Sequence, residues 1–156
     1  MMFRLASNEV GSINTISTLV DTTSGFSVGT YQGTGSAATI GHGLGVAPAM
    51  IMLKNISSLE GWRVYHQYSN ATPEDFYLNL EATSAATDLT TWNDTAPTST
   101  VFSIGTNASE NESGATIVYY AFAEIEGFSK FGSYIGNGTG SGAGPFSYTG
   151  FTPAFI

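Results

Sequence analysis

The chain has 156 residues, with four Lys+Arg against twelve Asp+Glu for a formal charge of -8, and no cysteine. Disulfides, thiolate metal sites and cysteine nucleophiles are thereby excluded, and the acidic balance disfavours nucleic acid and anionic membrane surfaces as partners. Charged residues make up only 10% while hydrophobic residues reach 42% and aromatics 13%, so the chain can bury a core and must keep its surface polar with hydroxyls and amides.

Residues 1–24 space their apolar residues among Ser, Thr and Asn and read as an arm or linker. No stretch approaches the roughly 18 apolar residues of a membrane span, so no membrane insertion is expected, and the N-terminus lacks the apolar run of a signal peptide. From Phe26 on, short apolar runs are punctuated by Gly, Asn, Asp and Pro, as in strands joined by turns. Strands are predicted over Phe26 to Tyr31, Ala49 to Lys54, Trp62 to Tyr68, Val101 to Ile104 and Phe128 to Tyr134.

In residues 76–81, alternation places Phe76, Leu78 and Leu80 on an inner face. Residues 115–125 are apolar on both faces and predict a central strand covered on both sides. Residues 82–100 form a long loop in which Trp92 is either a plug or a contact. The pattern predicts an all-β, antiparallel two-sheet β-sandwich, jelly-roll-like, with little or no helix. Its divisions are an arm over 1–24, a sandwich domain over 25–126, and a C-terminal segment over 127–156.

That last segment repeats the first part of the domain. GFSVGTYQGTGS at 25–36 recurs as GFSKFGSYIGNGTGS at 127–141, and G-x-x-P-A-x-I at 45–51 recurs at 150–156. The second copy is an excerpt of a tandem array, a closure of its own domain, or a strand added to a neighbouring subunit.

The candidate chemical sites are sparse. His42, within Ile40-Gly41-His42-Gly43-Leu44-Gly45, suits a turn whose imidazole bonds a backbone carbonyl better than an anion loop, because no helix follows. His42 and His66 share no ligand spacing, and no metal or cofactor is expected. The acidic stretch 107–114 reads as a solvated hairpin tip rather than a Ca²⁺ loop, and Glu124 with Glu126 as a solvated strand end rather than a glycosidase pair. Trp62, alternating with Val64, is expected in the core. Trp92, Tyr65 and Tyr68 are the candidate ligand-binding residues, since flat rings with polar tips suit a carbohydrate.

In combination, the run YQGTGSAATIGHGLGVAPAMIMLKN, the later WNDTAPTSTVFSIG and the EIEGFSKFGSYIGNG junction resemble a family of marine-phage virion domains of unknown function, found in tandem copies in tail fibres and other structural proteins. The resemblance implies a non-enzymatic module on the exterior of a phage particle, in a tail fibre or capsid decoration, with host attachment a further role. It also implies self-association as a homotrimer, contacts with other virion proteins, and a host-surface glycan as a ligand. A stand-alone carbohydrate-binding sandwich is the alternative.

Overall fold

The computed structural model describes residues 4–5, 10–138 and 144–154. In chain order its strands are β1 (Arg4–Leu5), β2 (Thr15–Asp21), β3 (Phe26–Gln32), β4 (Ala38–Gly41), β5 (Met50–Asn55), β6 (Arg63–His66), β7 (Phe76–Tyr77), β8 (Thr87–Asp88), β9 (Val101–Ile104) and β10 (Thr116–Phe122). Helix is confined to the four-residue α1 (Ala108–Asn111) and two 3-10 turns, Pro73–Asp75 and Thr90–Trp92.

Six strands form one antiparallel sheet in the order β1-β2-β3-β10-β5-β6, and β4 pairs with β9 in a second, two-stranded sheet. The fold is all-β and sandwich-like. A third small sheet joins β7 to β8.

Strand β10 is central, as its apolar composition predicts, with β3 on one side and β5 on the other. Because strand neighbours share a face, register defines the inner surface. One row runs Val20, Ser27, Ala121, Ile51, Tyr65, and the next Thr18, Gly29, Tyr119, Leu53, Arg63. Against them Ile40 of β4 and Phe102 and Ile104 of β9 complete a core fully shielded from solvent at those three positions. The Phe102 and Tyr119 rings meet edge to face at 5.4 Å, a geometry that suits the ring quadrupoles. The Tyr119 hydroxyl then reaches Gly41 O at 3.3 Å and joins the two sheets.

Asp21 Oδ1 accepts from Thr23 N at 3.0 Å and closes the β2–β3 turn, which ends on Gly25 at φ 66. Part of the stretch read as an arm is therefore a sheet strand. Ahead of it Ser12 and Thr39 exchange hydrogen bonds of 2.9 and 2.8 Å, so the incoming chain is tied to β4.

Several local expectations are corrected. Phe128 to Tyr134 is not a strand; Ile125 and Ser129 form a bridge across a tight turn and the chain then runs exposed. Leu80 is 57% exposed, because the strand at Phe76 ends after two residues and the bridge of Leu78 to Val64 carries the pairing no further than Leu78. Trp62 and Val64 lie on the outer face, since Arg63 and Tyr65 are the residues in register with Leu53 and Ile51. The acidic stretch at 107–114 is no solvated tip. It folds into α1 with Ser109, Glu110 and Asn111 buried.

Candidate functional site

Of the candidate ligand-binding residues, two are inside. Trp92 is 0% exposed, donates from Nε1 to Phe76 O at 3.0 Å, and meets the Tyr65 ring edge to face at 5.7 Å. It is the plug of the long loop. Tyr65 is buried beside it, and burial with the nearby Glu74 pushes its phenol up to about 12. Neither ring offers a face to a ligand in this arrangement. Tyr68 is 41% exposed and packs edge to face on His66 at 6.1 Å, apart from the Trp92–Tyr65 pair.

His42 is buried with Nε2 3.1 Å from Thr98 O, while Nδ1 accepts from Leu44 N at 3.3 Å. Those partners fix the proton on Nε2, and burial holds the pKa below the ordinary value. Glu124 Oε1 accepts from Phe131 N at 2.9 Å and lies 3.7 Å from Lys130 Nζ, whereas Glu126 is exposed. The two carboxylates do not face each other across a cleft, and Glu124 instead fastens the turn after β10.

A polar knot that the sequence reading missed surrounds α1. Asn107 caps the helix by accepting from Ser109 N at 3.0 Å, and Glu110 Oε1 accepts from Asn107 N at 3.1 Å. This pattern was present in the sequence as N-x-x-E. Asn111 bridges outward, donating to Ser36 O and Gly105 O at 2.7 Å and accepting from Thr34 N at 2.8 Å. Tyr31 donates to Glu110 O at 2.7 Å. Burial raises the Glu110 carboxyl to about 7, with Arg63 opposing and Glu60 adding to that shift. Each of these groups serves the fold. Among the described residues no three His, Asp or Glu side chains gather as a metal set, and no helix is long and apolar enough to cross a membrane.

The feature not absorbed by the fold is the outer face of the six-stranded sheet. Register places Leu19, Val28, Tyr120, Met52 and Val64 in one cross-strand row, and Asp21, Phe26, Phe122, Met50 and His66 in the next, with the Asp21 carboxylate turned to the β2–β3 turn amides. Seven of these ten side chains are half-buried, Leu19 is exposed, and Val64 and Asp21 are buried. Trp62 extends the first row, its ring 6.3 Å from that of Tyr120. Phe131 closes one end of the second, 6.5 Å from Phe122 and 6.1 Å from His66. The only lysine on these rows' neighbour, Lys54, donates to Glu60 O. A contiguous surface of rings and methionines with so little charge has the chemistry of a contact surface.

No curated protein and no solved structure matches the chain. A family model described as a domain of unknown function, DUF7483, matches residues 4–156. The chain belongs to that family.

Proposed function

We propose that the chain is a non-catalytic structural module of a phage particle, a tail-fibre or capsid-decoration domain. On the particle exterior it associates with copies of itself as a homotrimer and with other virion proteins, and contributes to host attachment. The observation that carries this reading is the outer face, where two largely apolar rows cross the sheet, covered in part by Phe131 at the Phe122–His66 end. A domain that works by assembly needs such a surface, whereas buried groups such as the Tyr31 hydroxyl and the Asn111 amide are spent on internal hydrogen bonds. The low-charge, hydroxyl-rich composition and the resemblance in residues 25–156 to marine-phage virion domains support the same reading. The test is immunogold labelling of purified particles from a lysate in which the chain is encoded. Label on fibres or capsid supports the proposal; a chain found only in the particle-free supernatant overturns it.

A carbohydrate-binding module is the second reading, and the half-exposed Trp62 beside Tyr120, with Tyr68 nearby in sequence, favours it. Selective retention of the full chain on a glycan array, abolished by Trp62→Ala, would establish that reading.

A further inference from the structure

The turn that follows β10 is fixed by its own hydrogen bonds. The Phe128 and Ser129 amides both donate to Ile125 O at 2.9 Å, and the Ser129 hydroxyl donates to Ala123 O at 3.0 Å while accepting from Ile125 N at 3.1 Å. One step on, the Phe131 amide donates to Glu124 Oε1 at 2.9 Å, and Lys130 Nζ lies 3.7 Å from the same oxygen. These bonds set two phenylalanines of the turn, Phe128 and Phe131, against two at the end of the sheet, Phe26 of β3 and Phe122 of β10, whose rings are 5.0 Å apart. The four border a half-open pocket of about 180 Å³. Its walls are complete by Phe131 and rest on bonds to residues 123–125.

The lining decides what can enter. No charged side chain borders the pocket, and its two hydroxyls are engaged, Ser129 as above and Ser24 by donating to Asp21 O at 3.5 Å. The backbone beside it is paired as well, Ala123 N with Gly25 O and Ala49 N with Phe122 O, each at 2.7 Å. A sugar, an anion or a metal ion would shed its water there and gain almost no polar partner in exchange. A planar apolar ring gives up nothing polar on entry and meets ring faces and edges, the contacts that aromatic pairs favour. Size narrows the choice further. An apolar cavity of roughly 150 Å³ takes up one benzene, so a pocket of about 180 Å³ suits one six-membered ring with a short substituent.

We propose that this pocket is a binding site for a single apolar six-membered ring, carried by a free small molecule or by a phenylalanine side chain of a partner protein. The site is distinct from the Trp62–Tyr120 pair, which belongs to the other outer row. It stands apart from the virion reading, which is tested on particles and survives its failure.

The experiment titrates the full chain with toluene and follows the backbone amide resonances. Saturable shifts are expected at Gly25, Phe26, Ala123, Ser129 and Phe131, with a Kd on the order of 1 mM for so small a ligand in a half-open pocket, while the Trp62 indole does not respond. Phe128 is 60% exposed, so Phe128→Ala leaves the melting temperature unchanged, and by removing a wall it weakens toluene binding roughly tenfold. Phe131→Ala is the second variant and acts in the same direction. N-acetyl-phenylalanine amide separates the two sources: shifts at the same amides assign the pocket to a side chain presented by a partner, and a response to toluene alone assigns it to a free molecule. Glucose at matched concentration is expected to shift none of these amides. Shifts that stay linear in toluene, or that spread evenly over both outer rows, overturn the proposal. Binding that neither variant weakens overturns it as well, as does a response to glucose at these amides.

Discussion

Glu110 joins a helix cap to a buried charge, and those two roles conflict. Its Oε1 holds the Asn107 amide, but Oε2 is buried without a hydrogen-bond partner and the carboxyl is pushed up from 4.5 to about 7. The native state therefore binds the proton more tightly than the unfolded chain. Stability from this group is fully present below pH 4.5, falls as pH rises towards 7, and is level above. The span of the shift corresponds to roughly 3 kcal/mol. His42 and His66, both lowered by burial, act in the opposite sense below about pH 6.5, so the total profile mixes the two. The difference between wild type and Glu110→Gln isolates the carboxyl: urea unfolding from pH 4 to 8 is expected to show the variant gaining on wild type as pH rises, with most of the change between 4.5 and 7. Trp92 tests the opposite kind of burial. Trp92→Ala is expected to cost about 3–5 kcal/mol through the cavity it leaves. Trp92→Phe should cost less, about 1–3 kcal/mol, from the unpaired Phe76 carbonyl and lost volume, and both are read by the urea midpoint at constant slope.

Element by element, what was legible in the sequence is what a strand carries within itself. The double-faced apolar run from Thr116 to Phe122 predicts a central strand, and the structure gives it a neighbour on each side. Periodicity does not name a partner, and the failures follow from that. The alternation of Phe76, Leu78 and Leu80 is real, yet β8 offers only two residues to pair with, and Leu80 is left in solvent. At β6 the alternation of Trp62 with Val64 does not say which face is inner, and register with Leu53 turns Arg63 inward, where its guanidinium lies 4.1 Å over the Tyr77 ring. In β2 the core positions are Thr18 and Val20, too modest an apolar signal to announce a strand. Helix α1 was missed since turn-forming residues surround it, and its signature is the cap alone. Asn107→Ala removes the acceptor for Ser109 N and is expected to cost about 1 kcal/mol, measured by chemical denaturation. A loss near zero would mean that burial of Glu110 and Asn111 holds the helix without its cap.

At the scale of the molecule, the candidate surface was beyond the sequence because an outer face is defined by register across five strands, and its residues lie scattered from Leu19 to Phe122. The two ends of the chain also differ in a way that composition does not foretell. Thr18 and Val20 of β2 belong to the buried set and β2 covers one flank of β3, whereas the last buried residue of the core is Ala123. Beyond it Phe128 is 60% and Ile135 91% exposed, and the segment touches the body chiefly through Phe131 and the Ser129 Oγ bonds to Ile125 N and Ala123 O. Deleting residues 1–21 strips β1 and β2 from the sheet, leaves the β3 edge unpaired and opens the core at Val20, a large loss against a whole-domain stability of about 5–15 kcal/mol. Ending the chain at Glu126 removes only surface contacts. The N-terminal deletion is therefore expected to lose its cooperative thermal transition, while the C-terminal truncation keeps it within a few degrees. Removing Phe131 also uncovers Phe122 and His66, so the truncated chain should gain self-association in light scattering as its apolar row lengthens. If the truncated chain instead unfolds, residues 127–156 belong to the core of this unit and an open outer face does not describe the molecule.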